Sequence, residues 1–111
     1  MKILRAVFVI VLLCGVPSLS QAQSYIDFAS TSCGTWVSER KKDDSYYAAV
    51  LKAWVSGVVS GATASSGGNK DWLKGADAAS LYVWLDNTCG KNPLMRFPDA
   101  VLALVQELRS R

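Results

Sequence analysis

The sequence predicts an all-α protein, a small bundle of about four helices tied by one disulfide and preceded by a cleaved signal peptide. Three observations lead to this fold class. Apolar residues repeat at spacings of three and four, without the clean alternation that strands show. Turn-forming residues are spaced for helices rather than for hairpins. Two cysteines remain available for pairing once the first apolar segment is removed.

The first 22 residues have the features of a secretory signal peptide. Two positive charges, Lys2 and Arg5, precede an apolar run at 6–16 that is too short to span a bilayer comfortably. Small residues stand at positions −3 and −1 before the bond between Ala22 and Gln23, as signal peptidase requires. We therefore expect an exported protein with a signal peptide at 1–22 and a single helical domain at 23–111.

Loss of the signal peptide changes the charge that matters for function. The full chain has 12 Lys and Arg, 9 Asp and Glu and no His, which gives a formal charge of +3. Without Lys2 and Arg5, ten basic residues face nine acids and the net charge falls to +1. This balance does not favour nucleic acid as a partner. No stable membrane span is expected after cleavage of the signal.

The cysteines are expected to supply a covalent link. Cys14 leaves with the signal peptide, and the bulky Leu13 before it disfavours lipidation. Cys33 and Cys89 remain, and in an oxidising compartment they are predicted to form a disulfide that stabilises the domain by about 4 kcal/mol. Two free thiols or a metal site are the alternatives, but two Cys without any His do not complete a zinc site.

The first half of the mature chain contains two predicted helices. The first lies at 32–40, and a solvated connector of mixed charge, 40–44, follows it. The second lies at 45–64, with Asp44 or Ser45 as its N-cap. The predicted apolar positions are Cys33, Trp36 and Val37 on the first helix, and Tyr47, Val50, Leu51, Trp54, Val55, Val58 and Val59 on the second.

Within the second helix, small residues form a row at every fourth position: Ala49, Ala53, Gly57 and Gly61. Each glycine lowers the helix propensity by about 1 kcal/mol relative to alanine, so we expect close packing to compensate for it. The row predicts either a tight helix crossing within the chain or a contact in a homodimer. A lysine within the helix makes a membrane interface the weaker interpretation.

The connector after the second helix is predicted to contain a flexible turn at 66–70 and one helical turn at 71–75. The helical turn is expected to place Trp72 and Leu73 onto the core.

Two further helices complete the predicted bundle. The third begins at the N-cap Asp77 and ends at 88 or 89, with Gly90 terminating it in a left-handed conformation. The last helix is expected to be split or kinked by Pro98, with Asp99 in its first turn. The predicted inner faces are Ala78, Leu81, Leu85 and Thr88 or Cys89 on the third helix, and Val101, Leu104, Val105 and Leu108 on the last.

The sequence offers little catalytic chemistry. The commonest general base is missing, because the chain has no His, and neither a phosphate-binding loop nor a dinucleotide fingerprint is present. Asp77 and Asp86 are nine positions apart and face different sides of their helix, so we expect a cap and a surface or helix-end contact. We therefore predict a non-enzymatic protein without a cofactor or a bound metal.

Four tryptophans are many for a domain of this size: Trp36, Trp54, Trp72 and Trp84. Trp54 falls on the apolar stripe of its helix and is expected in the core. Trp84 and its neighbour Tyr82 lie off the predicted inner face of the third helix. They are therefore the candidate contact patch for a protein partner.

From about residue 33 onward, the chain resembles the HdeA/HdeB family of small exported helical bacterial proteins. The resemblance rests on the cysteine placement and on WVSGVVSG at 54–61, LYVWLDNTC at 81–89, NPL at 92–94 and the helical pattern at 100–108. Proteins of that family are periplasmic and tied by one disulfide, and the best-known members are chaperones activated by acid stress. The resemblance implies a disulfide between Cys33 and Cys89, and protein clients bound by apolar helix positions.

The charge pattern is compatible with activation by acid. At pH 2 to 3 most carboxylates are protonated while the ten basic residues stay charged, so the domain reaches about +10. Self-repulsion then loosens a small bundle or splits a dimer, while the disulfide prevents full unfolding.

Two alternatives to a chaperone remain open at this stage. One is an immunity protein of the Tai-like group, which is also small, exported, helical and disulfide-linked. Such a protein blocks a secreted cell-wall amidase through one complementary surface, for which the patch at Tyr82 and Trp84 is the candidate. The other is a non-catalytic structural or binding protein.

Overall fold

A computed structural model describes residues 30–68 and 70–111, and these residues form four α-helices without a β-strand. The fold class predicted from the sequence is therefore confirmed. The predicted signal peptide, its cleavage site and Cys14 lie outside the described residues. None of the described helices is long and apolar enough to cross a membrane. The helices are α1 (Cys33–Arg40), α2 (Tyr46–Ser65), α3 (Ala78–Lys91) and α4 (Phe97–Ser110).

Three of the helices begin at a side-chain cap. Ser32, Ser45 and Asp77 precede α1, α2 and α3, and each accepts a hydrogen bond from the backbone N–H three residues further on. These contacts satisfy N–H groups that have no partner inside the helix. Ser45 and Asp77 confirm the predicted caps, whereas Asp44 has a positive φ of 54° and belongs to the preceding turn.

Two predictions about helix ends are wrong. Gly90 does not terminate α3 but has helical backbone inside it, because the helix continues to Lys91. Asn92 follows as the cap, and its side-chain amide donates to the carbonyl of Thr88 at 2.9 Å. Pro98 neither splits nor kinks the last helix. It lies in the first turn of α4, where its missing N–H needs no helical partner.

The connector between α2 and α3 differs from the single helical turn expected at 71–75. It forms a bend and a turn in which the carboxylate of Asp71 accepts the N–H groups of Leu73 and Lys74, each at 3.1 Å. Trp72 is nonetheless buried, as predicted, and Leu73 packs against the core. The Asp71 side chain therefore satisfies backbone N–H groups of this segment in place of the expected helical turn.

Helices α1 and α3 lie side by side and run in opposite directions. Cys33 and Cys89 form the predicted disulfide, with their Cα atoms 4.7 Å apart, and both are fully buried. Further along α1, Trp36 meets Asp86, which comes earlier on α3. Helices α2 and α4 pack against this pair. The remaining large buried side chains are Leu51, Val55 and Val59 of α2, Trp72, Leu81 and Leu85, and Phe97, Val101, Leu104, Val105 and Leu108 of α4.

The first turn of α1 is held by the connector between α3 and α4. The N–H groups of Cys33 and Gly34 donate to the carbonyls of Met95 and Pro93 at 2.8 and 2.9 Å. A Cβ atom at Gly34 would lie 3.3 Å from the carbonyl oxygen of Pro93, so only glycine allows this approach without a local shift. Distant parts of the chain therefore meet beside the disulfide.

Candidate functional site

The two residues of the predicted contact patch lie on different sides of α3. Tyr82 faces α2, where its hydroxyl lies 2.8 Å from Oγ of Ser56 and donates to the carbonyl of Lys52 at 3.2 Å. Trp84 instead lines a cleft beside α4. Tyr82 is thus used to join α2 to α3, and the structure does not bring it together with Trp84 into one patch.

The cleft beside Trp84 lies between the α2–α3 connector, α3 and α4 and has a volume of about 500 Å³. It is open to solvent along one side. Its floor is apolar, because Leu81, Leu104 and Leu108 contribute to its lining and are buried. The half-buried Trp84 packs against the hydrophobic core and forms one wall. This arrangement offers a preformed cleft with an apolar floor and a polar rim in the folded protein.

The other three tryptophans pack in or against the hydrophobic core. Trp36 is fully buried and stacks on Phe97 with ring centroids 4.8 Å apart, and Trp54 packs on the same phenylalanine at 6.0 Å. Trp72 is buried, with the guanidinium of an arginine 5.0 Å above its ring. Trp84 is therefore the tryptophan best placed to meet a partner of the folded protein.

A polar contact between α1 and α3 was missed at the sequence level. Asp86 accepts the indole N–H of Trp36 at 2.8 Å, and its two oxygens accept two guanidinium N–H groups of Arg40 at 3.0 and 2.9 Å. The hydrogen bond to Asp86 raises the pKa of Arg40 further above its ordinary value. The guanidinium also lies 5.5 Å from the ring centroid of Trp36 and 5.9 Å from that of Tyr82.

The cysteine positions contained the signal that could have revealed this contact. Trp36 follows Cys33 by one helical turn, and Asp86 precedes Cys89 by one turn. If a disulfide joins two antiparallel helices, residues one turn after one cysteine face residues one turn before the other. The four residues are thus paired by the same geometry, and Asp86 holds the two helices together instead of making only a surface or helix-end contact.

The row of small residues on α2 does not mediate a helix crossing within the described chain. Ala49, Ala53, Gly57 and Gly61 are all exposed. A Cβ atom built at either glycine meets nothing within 4 Å among the residues that the structure describes. The prediction of a tight intramolecular crossing is therefore wrong, because α1, α3 and α4 pack on other faces of α2. A contact between two copies of the chain stays a prediction.

Five carboxylates accept hydrogen bonds at helix starts, in a connector or between helices. Glu39 and Asp86 accept from a neighbouring cap or helix, whereas the other three accept from residues within three positions of themselves. The five carboxylates are Glu39 between α1 and α2, Asp71 and Asp77 between α2 and α3, Asp99 at the start of α4, and Asp86 between α3 and α1.

Two of these carboxylates have a lowered pKa. Hydrogen bonds from the side chains of Lys42 and Ser45 lower the pKa of Glu39. Hydrogen bonds from the backbone N–H and the hydroxyl of Ser80 lower the pKa of Asp77. In both cases the charged form is the one that the fold prefers, so acid acts against the folded state at these positions.

The described residues contain no cluster of three or more His, Cys, Asp or Glu side chains able to hold a metal ion. Asp77 and Asp86 serve separate contacts, one as a helix cap and one between two helices. They do not form a carboxylate pair of the kind that general acid–base catalysis uses. The arrangement is suited to holding helices together and to presenting an apolar cleft.

Comparison with protein-family models, with curated proteins and with solved structures finds no match to the chain. The resemblance to the HdeA/HdeB family consequently stays a hypothesis based on the residues quoted above. The functional argument rests on the geometry of the helices and their contacts.

Proposed function

We propose that this protein is a periplasmic, stress-related binding protein that opens in acid and holds unfolded client proteins. The observation that carries the proposal is the pair of carboxylates with a lowered pKa, Glu39 between α1 and α2 and Asp77 at the start of α3. Both contacts weaken as the pH falls and these two groups are protonated. The apolar faces beneath them then become available.

The junction between α1 and α2 illustrates how acid loosens a contact. Glu39, near the end of α1, accepts hydrogen bonds from Oγ of Ser45 and Nζ of Lys42. Ser45 is at the same time the N-cap of α2. Protonation of Glu39 removes the charge-assisted part of both bonds, and the start of α2 loses its link to α1.

The interface between α1 and α3 differs from this junction because it is held by both a disulfide and an ion pair. Asp86 pairs with Arg40, whose guanidinium lies beside Trp36 and Tyr82. The disulfide between Cys33 and Cys89 does not titrate and keeps the two helices joined. Opening is therefore directed toward α2 and α4, which no covalent link holds to the pair.

Charge repulsion supplies the force for opening. The ten basic residues of 23–111 keep their charge in acid while the nine acids are neutralised, so the domain carries about +10. Self-repulsion favours expanded states with exposed apolar surface, in which helical structure persists. The faces uncovered in this way are those of Leu51, Val55 and Val59 on α2 and of Val101, Leu104 and Leu108 on α4.

The proposal is tested by light scattering of an acid-sensitive client enzyme at pH 2.5 and at pH 7, with and without the oxidised protein 23–111. We expect suppression of aggregation at pH 2.5 and none at pH 7, where the apolar faces are buried. An unrelated basic protein of similar size serves as the control for charge alone. Absence of suppression at pH 2.5, or equal suppression by the control, would refute the proposal.

A second function, inhibition of a secreted cell-wall amidase, is favoured by one observation. The cleft at Trp84 is preformed in the folded protein and needs no acid to appear. Its test is inhibition of such an amidase by the folded protein at pH 7, a condition in which an acid-activated chaperone is closed. Only the inhibitor function predicts a stoichiometric complex there.

A further inference from the structure

Several polar side chains at the cleft beside Trp84 lack partners within the described residues, although the hydroxyl of Ser80 is bound to Asp77. The indole N–H of Trp84 makes no hydrogen bond there, whereas that of Trp36 is bound to Asp86. The charged residues that line the cleft, Lys74, Glu107 and Arg111, form no ion pair in the described part of the chain. One donor and three charges are thus available beside an apolar floor.

The charges of the cleft are unbalanced. Lys74, on the α2–α3 connector, and Arg111, after the last turn of α4, have cationic side chains, and Glu107 has the one anionic side chain among the residues lining the cleft. An incoming group gains most if it carries a negative charge toward the two cations. The buried leucines and the face of Trp84 favour an apolar group beside that charge.

We propose that this cleft is a docking site, in the folded state, for a segment of a protein partner that presents an apolar side chain next to a carboxylate. The apolar side chain packs on Trp84 and the leucine floor. The carboxylate meets Lys74 and Arg111, and Glu107 accepts a backbone N–H of the segment. The site is independent of acid opening and does not rest on the proposed chaperone activity.

The open side of the cleft favours a protein segment over a small molecule. Small-molecule sites enclose most of the surface of their ligand, and this cleft does not. A chain segment can place one side chain in an open cleft while its flanking residues contact the rim. The rim contains the exposed Lys74, Glu107 and Arg111, which suits such flanking contacts.

The test uses two blocked pentapeptides as probes, Gly-Asp-Leu-Asp-Gly and Gly-Lys-Leu-Lys-Gly, added to ¹⁵N-labelled oxidised protein at pH 7. The readout is the indole N–H resonance of Trp84, assigned with Trp84→Phe. We expect a saturable shift with the acidic peptide and about fivefold weaker binding of the basic one. No shift of this resonance, or equal binding of both peptides, would overturn the proposal.

Charge-reversed variants sharpen the test. The double variant Lys74→Glu/Arg111→Glu is expected to reverse the peptide preference. Lys91→Glu reverses one charge, as Arg111→Glu alone does, at an exposed position outside the cleft and is expected to leave the preference unchanged. If the double variant fails to fold, Arg111→Glu alone is used, because Arg111 lies beyond the last turn of α4. An unchanged preference in the folded cleft variant, or the same effect in Lys91→Glu, would overturn the proposal.

Discussion

The indole N–H of Trp36 donates to Oδ1 of Asp86 at 2.8 Å across the interface between α1 and α3. One helical turn away, Cys33 and Cys89 join the same two helices covalently. The two helices are therefore held by one covalent bond and by one polar contact. This combination gives a physical basis for an opening that leaves α1 and α3 together.

Substitution of Asp86 measures how much the polar contact between α1 and α3 contributes to the free energy of unfolding. Asp86→Ala leaves the indole donor of the buried Trp36 without an acceptor, and we expect a loss of about 1–3 kcal/mol in the free energy of unfolding. Asp86→Asn keeps an acceptor for Trp36 and loses only the ion pair with the partly exposed Arg40. Its expected loss is about 0.5–1 kcal/mol. Urea denaturation at pH 7 provides the measurement.

Asp99→Ala is the matched control for an ion pair that is not tied to a buried donor. Asp99 pairs with Arg96 across one turn at the surface, so its removal is expected to cost roughly 0.5 kcal/mol. Equal losses for Asp86→Ala and Asp86→Asn would show that the acceptor for Trp36 contributes nothing.

The disulfide is expected to dominate the stability of the oxidised domain. Cys33 and Cys89 are 56 positions apart, and a loop of this length predicts a loss of about 4 kcal/mol in the double variant Cys33→Ser/Cys89→Ser. The comparison is made by chemical denaturation at pH 7. Complete unfolding without denaturant is the limiting form of the same result, and an unchanged midpoint would contradict it.

Alanine at the exposed glycines of α2 is expected to stabilise the monomer. Gly57→Ala and Gly61→Ala place a methyl group where nothing lies within 4 Å, so each should add roughly 0.5–1 kcal/mol through helix propensity. Gly90→Ala is a control in another helix with the same open surroundings. Gly34→Ala should gain less or lose stability, because its Cβ would press on the carbonyl of Pro93.

Sedimentation equilibrium on the same variants tests the predicted contact between copies. If the small-residue row of α2 forms a homodimer interface, the double variant Gly57→Ala/Gly61→Ala weakens association while the monomer becomes more stable. Stabilisation without any change in association would remove the dimer prediction. A loss of monomer stability in both single variants would contradict the exposed position of the row.

The cap of α3 should make stability depend on pH. In the folded protein the pKa of Asp77 lies below its ordinary value of 3.8, because Ser80 donates two hydrogen bonds to the carboxylate. The folded state then binds fewer protons than the unfolded chain. The contribution is complete above the unfolded pKa and is lost as the pH falls through the folded one.

Asp77→Ser keeps a capping oxygen that does not titrate in this range. We expect its urea midpoint to fall less between pH 5 and pH 2.5 than that of the unsubstituted protein. If both proteins lost stability equally over this interval, Asp77 would not be one of the groups through which acid acts.

Local and compositional signals sufficed to predict much of the fold. Spacings of three and four predicted the helices, and the short polar side chains Ser45 and Asp77 marked two of their starts, since caps act within one turn. The pairing of Cys33 with Cys89 followed from the expected loss of Cys14 with a predicted signal peptide. Each of these inferences depends on residues that are close in the sequence or on the number of cysteines.

The wrong or missed predictions concern places where residues distant in the sequence determine the local structure. Pro98 lies in the first turn of α4 instead of kinking it, and the start of this helix is fixed by a distant residue, because the N–H of Phe97 donates to the carbonyl of Thr31 at 2.8 Å. The bond from Trp36 to Asp86 spans 50 positions and is invisible to periodicity. Gly90 has the residue type of a helix end, but α3 continues past it to the cap at Asn92.

The candidate site was predictable only in part. Trp84 was identified because it lies off the inner face of α3, but the cleft that it lines also needs Lys74 and Arg111 from other elements. Tyr82 was grouped with Trp84 as a neighbour in the sequence. Its hydroxyl is occupied by α2, a contact that depends on the packing of two helices.

The measurement that tests acid activation most directly follows two signals on the same samples from pH 7 to pH 2. Near-ultraviolet circular dichroism reports the packing of the buried tryptophans, and light scattering reports suppression of client aggregation. We predict that packing is lost and suppression appears over the same pH interval in the oxidised protein. Loss of packing without suppression, or suppression while the tryptophans remain packed, would contradict the account.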